Sequence, residues 1–475
     1  MTSGSARHRP VLLVTGARRI VVDAVTERVG DLLVVDGRVA DPAAENPADP
    51  DGPPAERSDA DRSDADRLDA DGGIVTPGLV NAHHHLLQCA FRTLPGTRGV
   101  PMARWLAVMG DAYRAAGVDA ALTGAAAAVG LAEALLSGVT TVADHHLTWP
   151  AGADDVGMAR ATAAAARALG ARLVFVRGSA GEDPQVAGES ATRVTEALLG
   201  DPAGAARGAE AGRGVTADGM VQVAVGPAGV HSDGPETFAA LAAVAVRFGL
   251  RRRTQANEQV DVEVAARRYG RRPLDVLADL GWLAPDVTLA HLCDVTAEEI
   301  ARLAAAGVTA THAPGCDLPM GWGIAPVARL RAAGVTVGLG TSGGGSNDAG
   351  HLLADARLAL QVAPLVGPPL AAREVLGMAT EGSSAGLGRA ELGHLRPGAA
   401  GDLCVWDVSG VADAGVADPV AGLLWAAPGR RPRHVVVGGR VVVRDHRLVT
   451  GDERDLVAAL ERRLRGVRPA GGGAP

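Results

Sequence analysis

Between residue 74 and about residue 350, short aliphatic runs rich in valine alternate with longer stretches rich in alanine and leucine. The short runs have the length and composition of strands, and the longer stretches those of helices. Strands that alternate with helices predict a parallel sheet, and eight such strands predict a (β/α)8 TIM-type barrel of the α/β class. The predicted strands are 74–80, Thr140–Ala143, Arg172–Val176, Val221–Val225, 250–256, Val287–Ala290, Val308–Thr311 and Val335–Leu339, with helices such as Asp119–Ser137, Pro235–Phe248 and Ala297–Ala306 between them.

Both ends of the chain carry further short β-type runs. Asp36-Gly37 near the start and Gly438-Gly439 near the end each separate two such runs, as the turn of a β-hairpin does. Because the runs at the two ends are of the same type, we expect them to form one small composite β-sandwich beside the barrel. The predicted organisation is residues 1–73 for the first part of the sandwich, 74–388 for the barrel, 389–452 for the second part of the sandwich, and 453–475 for a terminal helix and tail.

Residues 41–72 differ from their surroundings in composition. Proline, aspartate and alanine dominate, and Arg57-Ser58-Asp59-Ala60-Asp61 is repeated directly as Arg62-Ser63-Asp64-Ala65-Asp66. A segment with so few apolar residues cannot bury enough surface to offset the entropy of ordering. We therefore predict a disordered surface insertion without chemistry.

Composition excludes several classes of function. The 475 residues are 47% hydrophobic and carry a net charge of -8 without a basic patch, so we expect a large core and no nucleic-acid partner. The four cysteines are scattered, which is typical of a reducing, cytoplasmic protein, and no apolar run suggests a signal peptide or a membrane span. All 46 basic residues are arginine, which excludes a lysine Schiff base and a lysine carbamate between two metals.

Most of the histidines lie at the C-terminal ends of the predicted strands, where barrel enzymes have their active sites. In a strand ending at His83-His84-His85, side chains alternate, so His83 and His85 share one side and His84, on the other, is expected to be structural. Eight of the 13 histidines follow predicted strand ends, namely His83, His84, His85, His145, His146, His231, His291 and His312. Because barrel enzymes carry their active sites at the C-terminal ends of the strands, this pattern favours a metal site or an acid/base site.

Several motifs resemble the amidohydrolase superfamily, in particular the branch with cytosine deaminase-like, chlorohydrolase-like and 8-oxoguanine deaminase-like enzymes. The resemblance covers nearly the whole chain outside 41–72. Its strongest pieces are Thr76-Pro77-Gly78-Leu79-Val80-Asn81-Ala82-His83-His84-His85, Ser137-Gly138-Val139-Thr140-Thr141-Val142-Ala143-Asp144-His145, Gly323-Ile324-Ala325-Pro326-Val327, Gly345-Ser346-Asn347-Asp348 and Leu395-Arg396-Pro397-Gly398.

The resemblance implies a set of site residues. In this branch one divalent metal is held by a strand-one His-x-His pair, a strand-five His, a strand-six His and a strand-eight Asp, and a Glu three residues after the strand-five His moves protons. His83 and His85 match the first pair, His291 matches the strand-six histidine, and Glu258 matches the proton shuttle. We therefore expect His83, His85, His291 and Glu258 to be catalytic.

Two positions depart from the pattern of the superfamily. Gln255 stands where it has the strand-five His, and Ser342 where it has the strand-eight Asp. A neutral amide and a hydroxyl are weaker ligands for a dication, and serine cannot take a proton near neutral pH without a base. The sequence thus predicts a degenerate metal site. Its ligands would be His83, His85 and His291 if one zinc or iron ion is weakly held, and a site without metal is favoured.

Other polar and aromatic residues near the strand ends are candidates for binding a polar, planar substrate: Gln88, Trp149, Gln255, His312, Ser342 and Asn347. Trp322 could likewise stack a ring, and Cys316 follows strand seven without a paired base in sequence.

The function that the resemblance implies is hydrolysis of a non-peptide C–N bond in a small planar nitrogen heterocycle, as in deaminases. Two alternatives stay open. One is a metal-independent enzyme of the same fold that performs a different step on a nitrogen-rich small molecule, and the other is a non-catalytic relative that binds a ligand. The expected partners are a small-molecule substrate and, from the habit of the superfamily, further copies of the chain.

Overall fold

The protein is described from a computed structural model, which covers residues 11–40, 66–200 and 214–465. Its centre is a parallel sheet that follows the order of the chain, as predicted. Barrel strands one to eight are Leu79–His85, Val139–His146, Arg172–Ser179, Val221–Pro227, Arg251–Ala256, Val287–His291, Thr309–His312 and Val337–Leu339.

Strand eight closes the barrel in two short pieces. Val337–Leu339 pairs with strand seven, and the following piece, Ser342–Gly343, pairs with His84 and His85 of strand one. The sheet therefore returns to its first strand, and the C-terminal ends of all eight strands meet at one face. The predicted (β/α)8 barrel is confirmed.

The predicted helices surround the barrel. The side chain of Asp119 accepts a hydrogen bond from Leu122 N, so Asp119 caps a helix that ends before Ser137. The described α-helices are Met102–Ala116, Ala120–Leu136, Asp155–Leu169, Pro184–Leu199, Pro235–Phe248, Gln259–Tyr269, Pro273–Asp279, Ala297–Ala305, Pro314–Asp317, Val327–Ala332, Leu352–Val366, Ala372–Gly377, Ser383–Leu387, Pro419–Trp425 and Glu453–Leu464. Shorter turns of 3-10 helix lie at Leu86–Ala90 and Val411–Asp413, and a π-helical turn lies at Met378–Gly382.

Two sheets beside the barrel form the predicted sandwich. In spatial order, one contains Arg38–Val39, Leu32–Val35, Val11–Thr15 and Asp66–Asp69, and the other contains Arg447–Leu448, Arg440–Arg444, His434–Val437, Leu403–Trp406, Ile74–Pro77, Arg19–Val21 and Glu27–Arg28. The second sheet joins strands from both ends of the chain, and the hairpins at Asp36-Gly37 and Gly438-Gly439 are present. Leucine, isoleucine and valine from both sheets, among them Leu12, Ile20 and Leu403, share one buried core.

The single strand predicted at 74–80 is in fact two strands. Ile74–Pro77 belongs to the sandwich and Leu79–His85 to the barrel, so the barrel begins at Leu79. The chain changes sheets at Gly78, where an added Cβ would lie 2.3 Å from Thr140 Oγ1. Only glycine fits this close approach, and the Pro-Gly pair thereby separates the two layers.

The predicted disordered insertion is partly wrong. Asp66–Asp69 forms a strand parallel to Val11–Thr15, and Leu68 is buried in the sandwich core. One inward-facing leucine and an existing strand edge were sufficient to order these residues, which sequence composition did not indicate. Residues 70–72 of that prediction form the turn after this strand, whereas residues 41–65 lie outside the described residues, as does the predicted tail from 466 onward.

Within the described ranges, no single helix is long and apolar enough to cross a membrane. Helices Met102–Ala116 and Ala120–Leu136 pass that test only as a pair, by length and composition, and they are bent by 118°.

Candidate active site

Strands one, five and six bring the four predicted catalytic residues together at the C-terminal face of the barrel. The imidazole centroids of His83 and His85 are 4.9 Å apart, and those of His83 and His291 are 5.2 Å apart. Glu258 follows strand five, and its Oε1 lies 3.6 Å from His291 Nε2. The sequence motifs thus locate one cluster at the expected face.

Strained backbone marks the same strand ends. Asn257, His291, Leu292 and Ser342 all have positive φ, between 53° and 75°. Residues other than glycine adopt this conformation at a cost of about 1–3 kcal/mol, and such residues cluster at functional sites. The strained backbone at the ends of strands five, six and eight therefore favours a functional role for these residues.

His291 lies between two oxygen atoms. Its Nδ1 is 2.6 Å from Asp317 Oδ1, and its Nε2 is 3.0 Å from Gln255 Oε1. Burial opposes the charged imidazole, but the charge of Asp317 and the hydrogen bond to it raise the pKa of His291. Both ring nitrogens can then donate, as the imidazolium form allows.

Glu258 is fully buried beside this imidazole, and neither carboxylate oxygen has a hydrogen-bond partner. Burial raises the pKa of Glu258, although the nearby charge of His291 acts in the opposite direction. A buried carboxyl group with a raised pKa can both take and return a proton near neutral pH.

The strand-one pair has a different environment. Burial, and next the neighbouring imidazoles, hold the pKa of His83 well below its usual range, and burial lowers the pKa of His85 to about 4. The Nδ1–H of His85 donates to His145 O at 2.7 Å, whereas His83 Nε2 is buried without a partner. Both histidines are therefore neutral at physiological pH.

A buried arginine adds positive charge close to this pair. Arg253, on strand five, donates to the backbone carbonyls of Ala82 and Gly386, with no carboxylate among its hydrogen-bond partners. Burial lowers the pKa of Arg253 to about 9, so the guanidinium remains charged at neutral pH, and its charge contributes to the low pKa of His83. Sequence reasoning missed Arg253, because its place two residues before Gln255 became meaningful only with the pairing of the strands.

A cavity of about 640 Å³ opens above the cluster. Its wall is largely aromatic and sulfur-containing, and the polar groups are few. The lining includes Met102, Trp105, Met109, Tyr113, Trp149, Met320 and Trp322 among the former, and His85, Gln88, His231, Gln255, Cys316, Ser342 and Ser346 among the latter. Apolar walls with a few convergent polar groups are typical of small-molecule sites.

Four of the six predicted substrate-binding residues line the cavity, namely Gln88, Trp149, Gln255 and Ser342. The catalytic candidate His85 lines it as well. His83, Glu258 and His291 are almost completely buried and lie behind the lining, with Gln255 in contact with His291.

His312 and Asn347 are not part of the cavity wall, contrary to expectation. His312 Nδ1 lies 3.9 Å from Asp317 Oδ2, and burial lowers the pKa of His312 to about 4. The amide of Asn347 donates to Thr341 O and to Asp355, so it holds the loop after strand eight. Spacing along the sequence indicated that both residues lie near the site. It could not predict that their side chains do not line the cavity, which requires the structure.

Several contacts explain the other residues singled out in the sequence. His84 Nδ1 lies 2.9 Å from Thr341 Oγ1, a contact within the barrel wall that is consistent with the structural role expected of it. The Trp149 indole donates to Gly178 O, and the guanidinium of Arg177 lies 4.5 Å above its ring. This fixed ring can present one face to a planar ligand.

Asp317 is a functional candidate that sequence reasoning missed, and His231 was noted at the end of strand four without being assigned to the site. Asp317 follows Cys316 in the short helix after strand seven, one position from a cysteine already noted. His231 lines the cavity and bonds to Asp261 Oδ1 at 3.2 Å, a contact that no sequence spacing indicates. The signal for Asp317 was its place just after a barrel strand, where acidic residues are expected to be catalytic.

Comparison with known proteins agrees with the geometry. A model of the amidohydrolase family matches residues 74–442. The chain belongs to the amidohydrolase family. This amidohydrolase is 36% identical to an 8-oxoguanine deaminase of Pseudomonas aeruginosa over 377 residues, which are 77% of this chain and 81% of that protein.

Solved structures give the same result. A variant of the atrazine chlorohydrolase from Arthrobacter aurescens TC1, complexed with zinc and atraton, is 35% identical, with a TM-score of 0.81 over 95% of this chain and 100% of that chain. An adenosine deaminase from Xanthomonas campestris with bound zinc has a TM-score of 0.81 over 96% of this chain and 98% of that chain; at 21% identity it supports the fold alone. The predicted family and fold are confirmed.

The zinc in these relatives raises the question of whether the residues of strand one fit a metal. The orphaned Nε2 of His83 would suit a ligand atom. However, the positions that the resemblance assigns to the other ligands hold Gln255, whose oxygen already contacts His291, and Ser342. Neither supplies negative charge, and Arg253 adds a buried positive charge. A dication held by His83, His85 and His291 would have no carboxylate among its ligands, so these residues do not fit the ligand set that the resemblance implies.

Proposed function

We propose that this amidohydrolase hydrolyses an exocyclic bond of a small planar nitrogen heterocycle, most simply by removing an amino group as ammonia. The similarity to an 8-oxoguanine deaminase and to an atrazine chlorohydrolase favours a purine-like or triazine-like ring. Trp149 and Trp322 on the cavity wall offer aromatic faces for such a ring. The observation that carries the proposal is the Glu258–His291 pair beneath this aromatic cavity.

The proposed reaction uses the buried carboxyl group as its base and acid. Glu258 takes a proton from the attacking water, whose oxygen bonds to the ring carbon that carries the leaving group. Glu258 then returns that proton to the leaving amino group, which departs as ammonia. The second proton of the water passes from the new hydroxyl to the adjacent ring nitrogen, so the ring retains the oxygen as a carbonyl. General acid–base catalysis of this kind contributes about 10²–10⁴-fold to the rate.

His291, Gln255 and Ser342 hold the ring and the developing charge. The imidazolium of His291 can stabilise negative charge on the ring as water attacks, and Asp317 keeps that imidazole oriented. The amide of Gln255 and the hydroxyl of Ser342 line the cavity and can bond to ring nitrogens or to an exocyclic oxygen. In this scheme the neutral imidazoles of His83 and His85 contribute hydrogen bonds, and the degenerate metal site to which they would belong holds no ion.

A substrate screen tests the proposal. Purified protein would be incubated with aminopurines, oxopurines, pterins, aminotriazines and chlorotriazines, and released ammonia, released chloride and the product mass would be measured. We expect ammonia from at least one amino-substituted ring, above the rate with heat-denatured protein. Thermal stabilisation by such rings without product from any of them would contradict the enzyme and favour a binding protein instead.

The cytoplasmic location and the homo-oligomeric state stay predictions from the sequence. A small-molecule substrate as the main partner follows from the cavity volume, which is within the range of about 300–1,000 Å³ for ligand pockets.

A further inference from the structure

We propose that this protein binds a divalent metal of the zinc type at a site other than the strand-one pair, held by His291, Cys316 and Asp317 at the ends of strands six and seven. The inference deepens the proposed function, on which its catalytic meaning rests, whereas the binding of metal can be tested without turnover. The expected ligand is a borderline ion that accepts nitrogen, sulfur and oxygen donors together, for which zinc is the usual choice in proteins.

The three donor groups are already gathered. One ligand atom from each of His291, Cys316 and Asp317 lies within 4.8 Å of the other two, and all three residues are buried. Ligands of a tetrahedral zinc ion, at about 2.0–2.3 Å from the metal, lie about 3.5 Å from one another, so small side-chain movements suffice. Among the residues that the structure describes, this is the one group of three His, Cys, Asp or Glu side chains with such spacing.

Asp317 has bonding capacity that the protein leaves unused. Its Oδ1 is 2.6 Å from His291 Nδ1, but its Oδ2 is buried without a hydrogen-bond partner. A buried carboxylate oxygen without a partner carries the cost of its lost hydration. A metal ion in place of the proton that His291 and Asp317 share would use this carboxylate. His291, bound through Nδ1, would still have positive charge beside it and would keep its Nε2–H as the donor that the proposed function uses.

Charge separates this group from the strand-one pair. His83 and His85 bring no negative charge, and the nearest fixed charge on their side is the guanidinium of Arg253. At the proposed site, Asp317 and the thiolate of Cys316 would together neutralise a dication, and Glu258 lies 3.6 Å from His291 Nε2. Buried ions are stable only when they are compensated in this way.

The site is reachable and has candidates for a fourth ligand. Cys316 lines the cavity, and the hydroxyls of Ser342 and Ser346 hydrogen-bond to its thiol. The side chain of Cys293, two residues after His291, lies near Asp317. Either Cys293 or a water from the cavity can complete a tetrahedron.

Zinc content and cobalt spectroscopy test the site. Wild type, Cys316→Ser, Asp317→Asn, His83→Gln and Cys404→Ser would be purified from zinc-supplemented cultures and their zinc measured by mass spectrometry. Cys404, buried in the sandwich with its thiol on Gly138 O, is the matched cysteine control. We expect near one zinc per chain in wild type, His83→Gln and Cys404→Ser, and at least a tenfold loss in Cys316→Ser and Asp317→Asn.

Cobalt(II) in place of zinc should give the near-ultraviolet absorption of a thiolate–cobalt bond in the wild type, which decides the question even if a variant does not fold. Wild type without metal, zinc retained in Cys316→Ser but lost from His83→Gln, or cobalt without the thiolate band would each overturn the site. Turnover by a protein that takes up neither zinc nor cobalt would keep the proposed function and overturn this inference. A thiolate band without turnover of any ring would do the opposite.

Discussion

Strand one and strands six and seven both deliver histidines to the floor of the cavity, but in different surroundings. His83 and His85 are neutral imidazoles near the buried guanidinium of Arg253. His291 contacts Asp317 and lies near Glu258, so that it gains protons more readily. The pKa of histidine is thus lowered on the strand-one side and raised on the strand-six side.

In the proposed function, the carboxylates near His291 place the proton transfer on the strand-six side. Asp144 carries the carboxylate of the neighbouring strand two. It accepts a hydrogen bond from Leu86 N and does not contact the histidine pair. Removing a group on the strand-six side should therefore affect catalysis more than removing one on the strand-one side. Four substitutions test this ranking.

The largest effect is expected for Glu258→Gln. The amide keeps the size of the side chain but cannot carry the proton, so kcat should fall about 10³-fold, within the range for a lost general acid–base. The measurement is steady-state kinetics on the best substrate of the screen, with KM recorded separately. Glu263→Gln, an exposed glutamate on the following helix, is the matched control and should match wild type.

Asp317→Asn should come second, with a fall in kcat of about 10–100-fold, as for partners that orient a catalytic or ligating histidine. KM should change less, since Asp317 is not in the cavity wall. The exposed Asp279→Asn is the control. If kcat stayed at the wild-type level in Asp317→Asn, the charged role of His291 would be wrong.

His85→Gln should cost about tenfold in kcat/KM. The neutral imidazole contributes a hydrogen bond, and such bonds are worth about 1 kcal/mol, with a tenfold change at about 1.4 kcal/mol. A loss as large as that expected for Glu258→Gln would mean that strand one carries essential chemistry, and the contrast between the two sides of the cavity would be wrong.

The smallest effect is a change in stability for Asp144→Asn. Burial raises the pKa of Asp144 to about 7 from 3.8, so the folded protein holds this proton more tightly than the unfolded chain. The free energy of unfolding therefore falls as the pH rises from 3.8 towards 7, and the loss persists above it.

The asparagine variant lacks this ionisation, so its melting temperature should rise relative to wild type by about 2 °C more at pH 8 than at pH 5. Differential scanning calorimetry at the two pH values measures it, with the exposed Asp111→Asn as the reference. An equal difference at both pH values would mean that Asp144 is not held protonated.

The sequence was sufficient for the barrel, the sandwich and the position of the histidine cluster, because each depends on local patterns. Alternating strands and helices, hairpin turns and histidines at strand ends are all visible along the chain. The strand at Asp66–Asp69 was not visible, because its order comes from pairing with Val11–Thr15 rather than from its own composition.

The sequence predicted which individual residues belong to the site, but not how they interact with one another. His83, His85, His291 and Glu258 do converge, but their charge states depend on neighbours distant in sequence. Asp317 is 26 residues from His291, and the contact between them requires two adjacent strands to be in register. For the same reason, the position of Arg253 close to the strand-one pair could not be inferred from spacing.

Zinc K-edge X-ray absorption of the zinc-loaded protein tests most directly whether the strand-six and strand-seven side carries the chemistry of this site. We expect one sulfur neighbour at about 2.3 Å from zinc together with nitrogen and oxygen neighbours at about 2.0–2.2 Å. A zinc ion surrounded by nitrogen and oxygen alone, or a protein that takes up no zinc, would contradict it.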